Sequence, residues 1–283
     1  MAVLNSTLEN AFTPEDYGKL IDTEVDAKSV AFKIGTVVDT TKHQVRFPIL
    51  VSDPSSGWFA ENTEITLVDP DTSEVVVVPT KVAGRTQVSN EAADDTDPAI
   101  AAVIGRSLAR DIAKKIDAAF FSDTTSNGPS GLLSLEGESD VLYQVVDTES
   151  VWDTLDHVHD AKSAAIAEGA ELTHIVLAPD VALALAKAKQ ASGSNMGLLE
   201  TVDDGIKLAG LVALVSPHVT AGNAWAVDQS QIMVVRRMGT TLATSKDAAF
   251  GYDAVQIRAV SRVGFGFANP AGIVRLYEES ASV

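Results

Sequence analysis

The chain has 283 residues, of which 46 % are hydrophobic and 21 % charged, a balance typical of a folded protein with a buried core. It contains no cysteine, which excludes disulfide bridges, a thiolate nucleophile and a cysteine-ligated metal. The 39 acidic and 21 basic residues leave a net charge of −18, so the chain as a whole would repel nucleic-acid phosphates. No apolar run approaches the roughly 20 residues that span a bilayer, and we expect no membrane association.

The first 30 residues are predicted to form an arm that carries a helix. Thr13 is a suitable capping residue, and Pro14 follows it at the first helical position. Tyr17, Leu20 and Ile21 then begin an apolar stripe at helical spacing. This stripe packs either on the arm's own core or on a neighbouring copy, and the sequence leaves both alternatives open.

Two long strands are predicted at residues 36–51 and 74–89, where apolar residues recur at alternate positions. Pro48 and Pro79 lie inside these runs and cannot donate to a ladder, so we expect an open strand edge at each. A connection as long as residues 52–73 is usually functional or mobile. No Lys or Arg occurs between Arg46 and Lys81, and the acids of this region lack a local counter-charge: Asp53, Glu61, Glu64, Asp69, Asp71 and Glu74.

A long amphipathic helix is predicted at residues 98–121, after the capping residue Asp97 and Pro98. Its apolar residues recur every three or four positions. Four basic residues occupy much of the remaining surface: Arg106, Arg110, Lys114 and Lys115. We expect the acidic loop, together with Trp58, to dock on basic surface of a neighbouring copy, with these four residues as the candidates.

The remainder of the chain alternates between helices and strands. Helices are predicted at 151–167 and 179–190, and strands at 173–178, 211–215, 224–227, 232–236, 255–267 and 273–277. The residues therefore indicate an α+β protein.

Motifs for catalysis and for metal or cofactor binding are missing or weak. There is no P-loop and no GxSxG nucleophile elbow. His157 and His159 are two residues apart on a predicted helix, so they point to different sides and cannot share one metal ion. Gly264-Phe265-Gly266 is an isolated GxG, for which we expect no phosphate binding. We therefore predict that the protein is not an enzyme and has no cofactor.

Several short stretches follow one another in an order and spacing that resemble a known family. They are GWFAE (57–61) with KVAG (81–84) and QVSNE (87–91), then DAAFF (117–121) with GPSGLL (128–133), and finally FGYDAVQIR (250–258) with SRVG (261–264) and NPA (269–271). Their arrangement is similar to that of the major capsid proteins of tailed bacteriophages, which share the Hong Kong 97 fold. The likeness spans nearly the whole chain.

The resemblance implies an α+β capsid fold with six segments. These are an N-terminal arm (1–33), an extended β-hairpin loop (34–89), a peripheral domain with a long spine helix (90–134), an axial domain (135–235), return strands of the peripheral domain (236–270), and a final axial strand and tail (271–283).

The resemblance also implies a function. The chain would assemble as pentamers and hexamers into an icosahedral virion shell around double-stranded DNA, in the host cytoplasm. Expected partners are a portal, a separate scaffolding protein because the arm begins almost at Met1, and a minor or decoration protein as an open possibility. DNA would be held without reading its sequence. The alternative is an encapsulin-type shell that encloses an enzyme cargo.

One departure from the family concerns covalent cross-links. Some members join neighbouring subunits through a loop lysine and a peripheral-domain asparagine. Here no lysine lies between Lys42 and Lys81, and Asp253 stands where the asparagine is expected. We therefore expect a shell without covalent cross-links.

Overall fold

The computed structural model describes residues 22–52, 56–65, 67, 71–90, 100–136, 141–149, 151–189, 197, 199–202, 205–237, 239–245 and 247–278. Its helices are α1 (Val30–Ile34), α2 (Ile100–Phe120), α3 (Asp156–Ala167) and α4 (Pro179–Lys187), and residues 22–28 are also helical. Its strands are β1 (Thr36–Thr40), β2 (Val45–Ser52), β3 (Asp71–Val77), β4 (Thr80–Ser89), β5 (Gln144–Asp147), β6 (His174–Leu177), β7 (Glu200–Val202), β8 (Gly205–Leu208), β9 (Leu211–Val215), β10 (Ala224–Val227), β11 (Ile232–Arg237), β12 (Thr241–Ser245), β13 (Ala254–Phe267) and β14 (Val274–Tyr277).

A five-stranded sheet forms the layer on which α2 packs. The long strand β13 is its centre, because it pairs along one edge with β11 and β12 and along the other with β4. β1 adds to β11 in parallel. The buried side of α2 faces this sheet, where Phe120 meets Phe265 edge to face at 5.0 Å between ring centroids. This apolar contact holds helix and sheet together as one layered unit.

A seven-stranded sheet in the order β5-β14-β10-β6-β9-β8-β7 forms the second unit. β10, an interior strand of this sheet, is buried along its whole length, as expected for a strand covered on both faces. The hairpin between β8 and β9 turns at Ala209 and Gly210, both of which have positive φ. That conformation is typical of a two-residue type I′ turn.

The third element is a two-stranded hairpin of β2 and β3. The two long predicted strands are therefore four shorter ones. The first run breaks at residues 41–44, and β1 pairs with β11, whereas β2 pairs with β3. The second run breaks at Val78 and Pro79, after which β4 joins β13. Pro48 lies on an open strand edge as predicted, but Pro79 lies between two strands, where its missing amide proton costs no ladder bond.

Other boundaries differ from the predictions by a few residues. α3 begins at Asp156 and not at 151, and α4 ends at Lys187 and not at 190. β11 belongs to the five-stranded sheet, so residues 232–235 do not share a sheet with the axial segment in which the sequence placed them. The predicted helix start at Thr13 and Pro14, and the capping pair Asp97 and Pro98, lie outside the described residues.

The chain exposes a large surface for its size. Its accessible area is 17264 Å², against about 11,600 Å² for a compact monomer of this mass from the usual scaling. The hairpin contributes to this excess, because every second residue of 45–50 is exposed, with Leu50 60 % exposed, and residues 71–74 of β3 are all exposed. Among the described helices, none is long and apolar enough to span a membrane.

Candidate intersubunit contact surfaces

The tip of the hairpin presents large apolar side chains to solvent. Trp58 is fully exposed at 106 % and Leu67 at 97 %, and Phe59 and Ile65 are exposed beside them. Asn62 takes a left-handed conformation with φ of 61°, and the Thr63 amide donates to the Ala60 carbonyl at 3.2 Å across this turn. Four exposed large apolar side chains within residues 58–67 are typical of a surface that another molecule covers.

The acids of the hairpin are mostly unpaired. Glu61, Glu64 and Asp71 are exposed, and within the described residues none of them makes an ion pair. Glu74 is the exception, because the Arg46 guanidinium donates to its carboxylate across the two strands. The prediction that all six acids lack a local counter-charge is therefore wrong for Glu74. Asp53 and Asp69 lie outside the described residues.

The basic residues predicted on the long helix lie on its exposed side. Arg106, Arg110 and Lys114 follow one another at four-residue spacing, with Lys115 beside them, and all four are exposed. The opposite side of α2, which includes Ile112 and Ile116, is buried against the sheet. In the described part of the chain no ion pair joins these bases to the hairpin acids, so any such contact has to come from another copy.

A second basic surface, which the sequence did not reveal, lies on the five-stranded sheet. Lys81 stands directly opposite Arg262, and Arg85 directly opposite Arg258, on the paired strands β4 and β13. We call these four residues the basic ladder. Like charges in directly opposed positions destabilise a sheet, and among the described residues no carboxylate lies within ion-pair distance of any of the four. The sequence shows alternation along each strand. It does not show the register that places Lys81 opposite Arg262 and Arg85 opposite Arg258.

The base of the hairpin rests in a notch of the same sheet. A Cβ atom at Gly264 would lie 2.8 Å from Cγ1 of Val77, and one at Gly266 would lie 2.6 Å from Cγ2 of the same side chain. Only glycine therefore leaves room for Val77, which is 2 % exposed. The GxG that the sequence singled out receives this valine and fixes where the hairpin leaves the sheet.

The arm is fastened by two polar contacts. Arg236 of β11 donates to both carboxylate oxygens of Asp26 at 2.8 and 3.0 Å and to Asp39 of β1 at 2.7 Å. Burial raises the pKa of Asp26, although Arg236 acts against this. Burial by itself would lower the pKa of Arg236. The hydrogen bonds and negative charges of Asp26 and Asp39 outweigh that effect, so the pKa of Arg236 is raised.

The second contact is a buried cap. Asp117 of α2, 5 % exposed, accepts hydrogen bonds from the Ser29 hydroxyl at 2.6 Å and from the amides of Val30 and Ala31 at 3.0 and 3.1 Å. These amides begin α1, where no intrahelical partner exists. A carboxylate from a distant helix thus caps α1 and ties the arm to α2.

Comparison with known proteins agrees with this architecture. The sequence profile of the phage capsid family matches residues 10–277, nearly the whole chain.

The chain belongs to the phage capsid family.

Solved structures of low sequence identity share this fold. The capsid of an empty GTA particle is 20 % identical, with a TM-score of 0.73 over 89 % of this chain and 90 % of that one. The protein of Mycobacterium phage Adephagia is 14 % identical, with a TM-score of 0.72 over 100 % and 96 % of the two chains. The protein of Mycobacterium phage Bobi is 17 % identical, with a TM-score of 0.70 over 99 % and 96 %. No curated protein sequence matches the chain.

Family and fold identify a structural protein of a virus capsid, the major capsid protein that the resemblance implied. They do not favour the encapsulin alternative. The expected α+β fold of the Hong Kong 97 type is confirmed.

Proposed function

We propose that this capsid protein assembles as pentamers and hexamers into an icosahedral shell that encloses double-stranded DNA. The observation that carries the proposal is the hairpin, whose apolar tip has no cover in its own chain. A two-stranded ribbon is marginal by itself, and a ring of copies supplies the missing surface. One similar structure is described as a GTA capsid computed with C5 symmetry, which supports pentamers in particular.

Electron microscopy of the purified protein tests this proposal. The variant with Trp58→Ser and Leu67→Ser should fold but fail to form shells, because both side chains are fully exposed and contribute nothing to the core of their own chain. The conservative pair Trp58→Phe and Leu67→Ile keeps the apolar surface and should assemble. Shells of normal yield from the serine variant would contradict the proposal.

We propose that the hairpin tip and the exposed side of α2 are both contact surfaces between copies. The residues concerned are Trp58, Glu61, Glu64, Asp69 and Asp71 on the hairpin, and Arg106, Arg110, Lys114 and Lys115 on the helix. Exposed pairs are worth at most about 1 kcal/mol each, but the same contact repeats at every copy of a shell. Reversal of charge at Arg106 and Arg110 should therefore reduce assembly, and unchanged assembly at low salt would contradict this role.

We propose that the segments of the chain take the roles that the resemblance assigns. The seven-stranded sheet corresponds to the axial domain of residues 135–235 with the final strand after 271, and the five-stranded sheet with α2 corresponds to the peripheral domain and its return strands. The loop of residues 34–89 is represented by the hairpin of β2 and β3, whereas β1 and β4 at its two ends belong to the five-stranded sheet. The segment of residues 1–33 takes the role of the arm. Cryo-electron microscopy of an assembled shell tests which unit surrounds the symmetry axes.

The further partners we propose are a portal, a separate scaffolding protein and packaged DNA. We keep a minor or decoration protein as an optional further partner. Assembly would take place in the host cytoplasm, before the protein becomes part of the virion. The resemblance supports each of these, and co-expression with the neighbouring genes, followed by electron microscopy of the products, tests them.

We propose that DNA is held by confinement and a few basic residues and not by sequence recognition. The net charge of −18 opposes tight binding, and each phosphate contact requires a Lys or Arg. The isolated subunit should bind duplex DNA more weakly than about 1 μM at physiological salt, without preference for sequence. Submicromolar binding in a fluorescence anisotropy titration would contradict this.

A further inference from the structure

Strand β4 forms an open edge of the five-stranded sheet. Over Thr80–Ser89 it pairs with β13 along one side, and among the described residues no strand pairs with its other side. Every second amide and carbonyl group of an edge strand points away from its sheet. Residues 80–86 of this edge therefore offer a row of main-chain groups to another chain.

An apolar groove of about 340 Å³ lies beside residues 80–84 of this edge, between β4 and α2. Val82, Leu108, Ile112 and Ile116 contribute to its lining, and of these Val82 and Leu108 are only half-buried. Side chains of a strand alternate between its two faces, so every second side chain of a strand added to β4 would enter the groove. Apolar side chains at those positions would cover Val82 and Leu108.

Lys81 and Arg85 occupy the other face of β4. Gly84 faces α2, since a Cβ there would lie 3.0 Å from Cδ2 of Leu108, so residues at odd positions face away from the helix. Both basic side chains are exposed, and within the described part of the chain no carboxylate lies within ion-pair distance of either. Charges on an edge strand discourage pairing with other strands. A strand with acids opposite these two residues is the exception, because oppositely charged cross-strand pairs are favourable.

We propose that the open edge of β4 binds an extended segment of a different protein, in which apolar residues alternate with acidic residues. The apolar side chains enter the groove, and the acidic ones face Lys81 and Arg85. Main-chain hydrogen bonds supply the affinity of such strand addition, and the alternate side chains supply its specificity. The binding needs one folded subunit and no shell, so it goes beyond the assembly proposed above.

The sequence of the chain itself indicates that the partner is a different protein. Three acids alternate with other residues at only two places, 22–26 and 136–140. Residues 22–26 are helical, and the Asp26 carboxylate accepts from Arg236. In 136–140 the residues between the acids are glycine and serine, which would leave the groove empty. A second copy therefore lacks an extended segment of the required pattern.

Peptide binding to the full-length subunit, kept unassembled at low concentration, tests the proposal. The probe is a capped peptide of about seven residues in which valine alternates with glutamate, labelled for fluorescence anisotropy. It should bind saturably and slow the hydrogen exchange of amides in residues 80–86. Three control peptides should each bind at least tenfold more weakly. In these, lysine replaces glutamate, serine replaces valine, or proline replaces the central valine and removes a main-chain donor.

Removal of charge from the protein provides a matched pair of variants. Lys81→Gln with Arg85→Gln should weaken binding of the glutamate peptide about tenfold, because two ion pairs are lost. This variant also removes like-charge repulsion within the sheet, so the subunit should melt no lower than wild type. Lys187→Gln with Lys189→Gln makes the same change in net charge at exposed positions of the axial unit and should leave the affinity unchanged.

Four results would overturn the proposal. Absence of saturable binding would mean that another part of the chain, or a second copy, already covers the edge. Equal affinity for the glutamate and lysine peptides would exclude an acidic partner. Full affinity for the proline peptide would exclude strand addition, and slowed hydrogen exchange only outside residues 80–86 would place the peptide elsewhere. Each result can be obtained whether or not the subunit forms shells.

Discussion

At the scale of single residues, the buried carboxylate of Asp117 has the clearest energetic role. Among the described residues it is the acceptor for the Ser29 hydroxyl and for the amides of Val30 and Ala31. Burial of these groups keeps water from replacing it. Removing an acceptor leaves buried donors without a partner, which costs more than the bond itself contributes.

We therefore expect Asp117→Ala to lower the free energy of unfolding by about 3 kcal/mol. Urea denaturation followed by tryptophan fluorescence measures this, because Trp152 and Trp225 are buried and report on the folded state. The matched control is Asp111→Ala, exposed on the same helix, which should change stability by less than about 0.5 kcal/mol. Equal changes in the free energy of unfolding from the two variants would show that the hydrogen bonds of Asp117 add no more stability than an exposed carboxylate does.

A pH dependence follows from His174. Burial lowers the pKa of this half-buried imidazole below its ordinary value of 6.5. Below pH 6.5 the unfolded chain then binds a proton that the folded chain resists, so the contribution of His174 to stability is present above that pH and is lost as the pH falls.

His174→Gln should flatten the decline in melting temperature between pH 6.5 and 5. The control His159→Gln, exposed on α3, should leave the decline unchanged. If the two variants gave the same profile as wild type, another group would be responsible for the pH dependence.

At the scale of elements, the attachment of the hairpin depends on two glycines. Alanine at Gly264 or Gly266 would bring a methyl group within 3 Å of Val77, and at Gly264 the methyl would also lie 3.2 Å from backbone atoms of Val78 and Pro79. Overpacking of this kind typically costs about 1 to 3 kcal/mol.

We expect Gly264→Ala to displace the hairpin base, lower the melting temperature and increase protease cleavage in residues 45–77. Adding Val77→Ala should reverse part of the loss because it empties the same space. Gly251→Ala is the matched control, since a Cβ there would meet nothing within 4 Å. Protection of the hairpin in the Gly264 variant at the wild-type level would show that the notch does not position it.

The long and strongly patterned elements were predictable from sequence, and their pairing was not. The end of α2 and both ends of β13 lie within one residue of the prediction, because both elements are long. Short strands such as β5, β7 and β12 have too few residues for a period to emerge. The hairpin contact of Arg46 with Glu74, and the basic ladder, depend on strand register, which arises from tertiary packing.

The dependence on strand register also limits how much of the candidate site could be predicted from the sequence. Glu61, Glu64 and the four bases of α2 were identifiable because they cluster in sequence. Arg85 and Arg258 are 173 positions apart in the numbering and meet only when β4 pairs with β13. The sequence shows Gly264 and Gly266 as an isolated GxG. Their role becomes clear only from the position of Val77 in the structure.

At the scale of the whole molecule, the absence of lysine from the hairpin removes one means of joining its copies covalently. An isopeptide bond forms when a lysine amine displaces the amide nitrogen of an asparagine side chain. No lysine occurs between Lys42 and Lys81, and Asp253 carries a carboxylate where the resemblance expects the amide. Asp253 is instead engaged within its chain, because its backbone carbonyl accepts from the Asn90 amide at 2.9 Å and its carboxylate accepts from the Asn90 side chain.

We therefore expect every contact between copies to be non-covalent. Mature particles boiled in denaturant should run as a single band near the chain mass of 29.7 kDa. Asp253→Asn should not change this, because the amide alone supplies no amine donor, and an additional Trp58→Lys is the variant in which a ladder of multimers could first arise. Multimers from the unaltered protein would mean that a lysine outside the hairpin reaches an amide of a neighbouring copy. That result would contradict the expectation that the shell has no covalent cross-links.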